Sequence, residues 1–327
     1  MSESSAQRDG SGFEATPAVE RPMGRRRSDR IVGGGRATQE IVDQALAFAR
    51  SDRPLLIVGP PGSGKDHLAR AIHAWSPRAA QPFVALSCAT LPDALLAREL
   101  FGCAEGARAP LSDEHAGALA RASAGTLLLD ALDRAGDGVR ETLVKALADG
   151  RFQREGDDAP TPLRTRVIAT CVVLAGRSPF GDLAHHVLQL PPLAARREDV
   201  LPLAAHFLRL YSDEAGVTPI GFTAEARNAL LAEPWPGNVR ELAERVRQAI
   251  RLAGGGAISA EALLLAADGE NVPSFKEAKR AFETRYVVGL LRRCGGNISR
   301  AARLAKKDRK DFYDVIRRTG IDPSEFR

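Results

Sequence analysis

Near position 60 the residues Gly59-Pro60-Pro61-Gly62-Ser63-Gly64-Lys65-Asp66 have the spacing of a loop that cradles phosphate. Glycines let the backbone turn successive N–H groups toward anionic oxygens, and Lys65 adds a positive charge at the start of the helix expected to follow. Contacts to a nucleotide are therefore expected from Gly59, Gly62, Ser63, Gly64, Lys65 and Asp66. Such a loop ordinarily ends in a hydroxyl residue that helps to hold magnesium. Asp66 stands there instead, a carboxylate able to contact the metal while bringing negative charge toward the phosphates. A second carboxylate, Asp130, ends the apolar run Gly125-Thr126-Leu127-Leu128-Leu129 and is suited to hold magnesium through water. The expected ligand is ATP or ADP with magnesium, and Asp66 and Asp130 are the metal-side residues. Ala131 follows. Hydrolysis calls for a carboxylate beside Asp130 to orient and activate water, and a methyl group does neither.

The second chemically informative cluster is cationic. Residues 273–327 hold 15 Lys and Arg against 7 Asp and Glu, a net of +8, while the whole chain carries only +5. The preceding 272 residues are therefore close to −3. Within the tail, Gly295-Gly296-Asn297 separates an amphipathic segment, residues 278–293, from a short helical one, residues 300–305, with Asn297 or Ser299 as its cap. A turn at Lys306-Lys307 leads into a second short helix, residues 308–318. Two short helices across a tight turn form a helix-turn-helix pattern. Arg309, Lys310, Tyr313 and Arg317 fall near one exposed side of the second helix, opposite Phe312, Val315 and Ile316. Arg309 and Lys310 are placed to reach base edges of double-stranded DNA, and Lys306, Lys307, Arg317 and Arg318 to meet phosphates. Lys306 occupies the turn position where glycine is usual. Paired half-sites favour a dimer or higher self-assembly.

These groups need a scaffold. Short apolar runs at 54–59, 83–86, 125–130 and 166–170 read as buried strands separated by helical stretches, which implies a parallel sheet covered on both faces. After Pro191-Pro192 the pattern is helical, with segments at 198–211, 223–231 and 238–252. The expected organisation is an arm over residues 1–34 with the composition of a disordered segment, an α/β nucleotide-binding core over 35–192, a helical part over 193–265 and the all-α basic module over 273–327. Cys88, Cys103, Cys171 and Cys294 lack paired spacing, which argues against a zinc knuckle or a disulfide framework. No run of about 18 or more apolar residues and no signal-peptide pattern occurs, so a cytoplasmic chain without a membrane partner is expected.

In order along the chain, the phosphate loop, Phe83-Val-Ala-Leu-Ser-Cys-Ala-Thr-Leu91, Glu99-Leu-Phe-Gly102, the run ending at Asp130, Leu190-Pro-Pro-Leu193 and Trp235-Pro-Gly-Asn-Val-Arg-Glu-Leu242 resemble the bacterial enhancer-binding proteins. These are the AAA+ activators of sigma-54 RNA polymerase, which carry a C-terminal module of the type found in the nucleoid protein Fis. The resemblance implies an AAA+ P-loop parallel sheet, a helical lid and a Fis-type helix-turn-helix. It also places Arg240 at the lid position that meets nucleotide. Departures from the family pattern run in one direction. The sigma-54-engaging loop, GAFTGA in the family, falls at Gly106-Ala107-Arg108-Ala109-Pro110-Leu111, and only its first two letters survive. Ser87 replaces an asparagine that restrains the missing glutamate, and Cys171 replaces a polar sensor. Where relatives carry finger arginines this chain has Phe180-Gly-Asp-Leu-Ala-His185-His186. The resulting expectation is a DNA-binding transcription regulator with a degenerate nucleotide-binding module, poor at hydrolysis and not a direct sigma-54 remodeller. Two alternatives stay open: an active sigma-54-dependent ATPase that works on RNA polymerase, and a non-hydrolysing subunit partnered with an active relative.

Overall fold

A computed structural model of the chain describes residues 31–104, 114–172, 183, 185–216, 220–253, 256–266 and 275–326. The sigma-54 loop expected at 106–111, residues 180–182 and 184 of the finger stretch, and residues 1–30 of the arm lie outside the described residues. The chain divides into two compact units, residues 1–260 and 261–327. Among the described residues no helix is long and apolar enough to cross a membrane.

The first unit begins with α1 (Arg36–Ala49), β1 (Leu55–Val58), α2 (Lys65–Ala74), β2 (Phe83–Ser87), α3 (Asp93–Phe101), α4 (Gly117–Arg121) and β3 (Thr126–Asp130). It continues through α5 (Asp137–Asp149), a short hairpin of β4 (Arg151–Phe152) and β5 (Thr161–Pro162), β6 (Arg166–Cys171) and β7 (Val187–Gln189). The main sheet has the order β2-β3-β6-β1-β7, and its paired strands are parallel. Because strand side chains alternate between faces, each run of apolar residues feeds two cores. Leu56, Val58, Leu127, Leu129, Val167 and Ala169 point into one, with Leu96 and Leu100 of α3 and Leu143 of α5. Leu55, Ile57, Leu128 and Ile168 point into the other, against Ile41 and Ala45 of α1 and Leu68 and Ile72 of α2. This explains why β1, β3 and β6 read as continuous apolar runs. Strand β7 escaped the sequence reading because Val187-Leu188-Gln189 is short and, among the described residues, pairs only with β1.

The helices α6 (Val200–Ala215), α7 (Ala224–Ala232) and α8 (Asn238–Ala253) follow. Thr223 caps α7 by accepting a hydrogen bond from the Ala226 amide at 3.1 Å. Where the arm expected over residues 1–34 meets the core, Gly33 and Gly35 are buried beside Asp199. Only residues without Cβ let the backbone come that close to the carboxylate.

At the division between the units lies the short α9 (Ala260–Leu265), and the second unit then holds α10 (Phe275–Cys294), α11 (Ile298–Leu304) and α12 (Arg309–Thr319). Val287, Leu290 and Leu291 of α10 close over Ala301 and Ala302 of α11 and Phe312, Val315 and Ile316 of α12. Asn297 is the cap of α11, its side-chain oxygen accepting from the Arg300 amide at 3.1 Å.

Candidate functional site

The phosphate loop lies between β1 and α2, where the parallel sheet ends and a helix N-terminus begins. Gly62 at φ +72° and Gly64 at φ +101° take left-handed backbone that an L side chain rarely adopts. A Cβ on Gly62 would also stand 2.3 Å from the Gly237 carbonyl, so only glycine fits there. Lys65 donates to the Gly59 carbonyl at 2.7 Å and the Pro60 carbonyl at 3.1 Å. Burial lowers its pKa, while Asp130 and Asp133, followed by Cys171 and Asp66, pull it back up. The Ser63 hydroxyl is buried with no hydrogen-bond partner among the described residues. An ammonium resting on the loop's own carbonyls at the edge of an open cleft is what a loop shaped for phosphate oxygens offers its ligand.

A cleft of about 640 Å³ opens beside the loop, lined by Gly62, Gly64, Lys65, Asp66, Asp130 and, from α8, Arg240. The structure brings these sequence-predicted residues to one place. Gly59 and Ser63 belong to the same loop. Ser87, Ala131 and Cys171 also line the cleft. Ala131 stands next to Asp130 in left-handed backbone at φ +56°. Thr170 organises this corner: its hydroxyl donates to the Asp130 carboxylate at 2.6 Å and accepts from the Ala131 amide at 2.9 Å. Burial pushes the Cys171 thiol up to about 11, Asp133 adding to the rise, and the Cys88 thiol up to about 12, with Asp130 and Asp133 contributing. Both stay protonated near neutrality and are weak hydrogen-bond partners.

Sequence reasoning missed three participants. Asp133 faces the cleft, and its Oδ1 is sealed from solvent with no hydrogen-bond partner among the described residues. Its carboxylate type was the available signal, overshadowed by the empty position at Ala131. Asn238 joins the lid helices to the loop: its amide nitrogen donates to the Pro61 carbonyl at 3.0 Å and its oxygen accepts from the Leu193 amide at 2.8 Å. Next to it the Arg240 amide donates to the Gly62 carbonyl at 3.1 Å. The third is Arg196, which donates to the Ser63 carbonyl at 2.8 Å from across the fold. The corner that presents Asn238 is built by Trp235, whose indole donates to Leu230 at 2.9 Å beneath the Arg245 guanidinium, 4.6 Å from the ring. In the finger stretch, His186 packs edge-on against Phe48 and lies 3.5 Å from Arg53.

In the second unit, Lys306, Lys307, Arg309, Lys310, Tyr313, Arg317 and Arg318 are all exposed, on α12 and the turn before it. Lys306 adopts φ +50°, and the Lys306 and Lys307 amides donate to the Arg303 and Ala302 carbonyls, both at 3.1 Å. That pair of bonds is the Schellman closure of a helix end, built here without glycine. Asp308, Asp311 and Asp314 are exposed among the cations.

The description "Sigma-54 interaction domain" matches residues 31–175, and "AAA+ ATPase lid domain" matches residues 194–279. The transcriptional regulatory protein GlrR of Escherichia coli K12 is 34% identical over 298 residues, which cover 88% of this chain and 67% of GlrR. The transcriptional regulatory protein ZraR of Klebsiella oxytoca is 34% identical over 304 residues, covering 88% of this chain and 68% of ZraR. Among solved structures, NtrX from Brucella abortus in complex with ADP superposes with a TM-score of 0.66 at 28% identity, over 90% of this chain and 70% of NtrX. NtrX in complex with ATP gives 0.65 at 30% identity, over 89% and 69%. The sheet order, the phosphate loop and the helices over it are those of an AAA+ α/β domain with its lid, and the chain belongs to the sigma-54-dependent transcriptional regulators.

Proposed function

We propose that this transcription regulator acts through DNA binding by residues 273–327, while its AAA+ module binds nucleotide and turns it over poorly. The observation that carries the second half is Ala131 beside Asp130. Asp130 is held by Thr170 in a position suited to a magnesium-bound water, yet the adjoining side chain cannot accept a proton from an attacking one. Bound ATP with magnesium would supply the phosphate charge that Lys65, the loop amides and Arg240 are arranged to neutralise, with Asp66 and Asp130 on the metal side. Binding and turnover separate because the loop cradles phosphates through backbone and Lys65, whereas losing a transition-state arginine alone costs about 10³-fold or more in rate. Arg108-Ala109-Pro110 in place of the family's contact residues supports a regulator that does not itself remodel sigma-54.

The DNA-binding half rests on α12. Its apolar side is buried under α10 and α11, and Arg309 and Lys310 stand in the exposed first turn, where base edges are reached. Lys306, Lys307, Arg317 and Arg318 flank them as phosphate contacts, with Tyr313 on the same side. Self-association into dimers or larger assemblies would pair two such units on double-stranded DNA. One observation favours a second reading, residual hydrolysis in the chain or in company with an active relative: Asp133, a second carboxylate residue lining the cleft beside Asp130.

A promoter-reporter assay ranks the two halves. Replacing Arg309 and Lys310 by Ala is expected to abolish regulation, and Lys65→Ala to reduce it less. The opposite ranking overturns the proposal.

A further inference from the structure

Asp199 is fully buried and gathers groups from two distant parts of the first unit. Its Oδ1 accepts from the Gly34 amide at 2.8 Å and the Gly35 amide at 2.9 Å, and its Oδ2 accepts from the Thr38 hydroxyl. The carboxylate thus sits at the N-terminus of α1, where negative charge is favoured and where the cap residue, Gly35, has no side chain of its own. On its other side, Oδ2 lies 3.8 Å from the Arg196 guanidinium. A second nitrogen of that guanidinium donates to the Ser63 carbonyl inside the phosphate loop, and Arg196 is itself buried. One chain of contacts therefore runs from residues 34–38 through Asp199 and Arg196 to the loop.

We propose that Arg196 is a positioning residue for the phosphate loop, and that through Asp199 it makes the loop's geometry depend on the docking of residues 33–38. The physical basis is a buried ion pair that is stable only while each charge keeps its partners. If residues 33–38 leave, Asp199 loses three donors at once, and its remaining partner is the guanidinium that also holds Ser63. Arg196 then turns toward the carboxylate, and the loop loses a bond at the residue whose neighbours, Gly62 and Gly64, are in left-handed backbone. A planar fork of donors can bridge a carboxylate and a carbonyl simultaneously, which a lysine ammonium on a flexible stem does less well. By thermodynamic reciprocity a ligand that fixes the loop also favours docking of the segment. The ligand side rests on the nucleotide reading given above; the coupling between segment and loop does not.

Gly33 allows the segment to be perturbed without touching the loop. A Cβ there would lie 2.5 Å from Thr38 Cγ2, 2.9 Å from Thr38 Cβ and 2.9 Å from Asp199 Oδ1. The test uses the full chain as wild type, Gly33→Ala, Arg196→Lys and the double variant, with Thr38→Val as a gentler substitute should Gly33→Ala fail to fold. Hydrogen exchange at the Ser63, Gly64 and Lys65 amides is measured without nucleotide, and binding of a fluorescent ATP analogue by titration. Gly33→Ala is expected to speed exchange at those amides and to weaken the analogue about fivefold, the low end of ordinary coupling factors. Arg196→Lys is expected to do the same alone, and Gly33→Ala added to it to do little more. A Gly33→Ala protein with a lower Tm but unchanged loop exchange overturns the coupling, as does an undiminished effect in the Arg196→Lys background. Failure of the wild type to bind the analogue overturns the nucleotide reading, and the exchange results then decide the coupling by themselves.

Discussion

Beside Asp130 the side chain that would handle an attacking water is a methyl group, and Thr170 has become the organising group of that corner. Its hydroxyl satisfies the Asp130 carboxylate and the Ala131 amide together in a fully buried position. Thr170→Val keeps the shape but takes the hydroxyl away from two part-buried groups that line the cleft, at a cost of about 1 kcal/mol. Chemical denaturation is expected to read a loss of that size, and a change under about 0.5 kcal/mol would show that the hydroxyl holds nothing together. The buried thiols give a pH signature. Cys88 and Cys171 have pKa values raised above those of the unfolded chain, to about 12 and about 11, so the folded state retains protons that the unfolded state sheds. Stability from these groups is intact below about pH 8.5 and falls as pH rises through the window from there to about 11 and 12. Thermal melts across that window are expected to show a drop that Cys88→Ala reduces, and an unchanged drop would remove Cys88 from its causes. At this scale the sequence was legible wherever residue type alone decides: Lys65, Asp130 and the alanine after it. Asn238 and Arg196 were not, because their partners are distant in sequence, and Asp133 was passed over beside the missing carboxylate at Ala131.

Elements carry their own signals. The strands β1, β3 and β6 were readable from apolar runs, since both faces of a covered parallel sheet are buried and no alternation is needed. β7 and the β4-β5 hairpin were not, because strands of two or three residues give no periodicity and are fixed by partners already in place. Gly33 and Gly34 fall at the end of the segment assigned by composition to the arm, and their packing is set by the distant Asp199. In the second unit, the turn between α11 and α12 has a lysine where left-handed backbone favours glycine, a cost of about 1–2 kcal/mol. Lys306→Gly is therefore expected to stabilise the three-helix unit by about 1 kcal/mol in urea unfolding while taking away one cation proposed to meet phosphate. A lower stability would mean that the lysine side chain packs in a way the exposed position does not suggest. Asn297→Ala removes the cap of α11 and is expected to cost about 1 kcal/mol in the same assay.

For the whole molecule, charge is divided as function is proposed to be divided. The first 272 residues, which include the cleft lined by Lys65 and Arg240, carry a net of −3, and residues 273–327 carry +8. Binding of the chain to DNA is accordingly expected to weaken steeply with salt, and neutralising Lys306 and Lys307 to flatten that dependence by about one unit of slope for each phosphate that no longer meets a cation. A salt dependence unchanged by both substitutions would move the DNA interface elsewhere. The family was legible from ordered motifs spread along the chain. The balance between nucleotide binding and turnover was less so, because it depends on which side chains meet in the cleft. The most direct test of that balance is ATP turnover by purified wild-type protein beside Lys65→Ala, with binding of an ATP analogue measured on the same samples. The expected result is an analogue affinity that Lys65→Ala weakens and a turnover no different between the two proteins; turnover by the wild type that Lys65→Ala abolishes would contradict it.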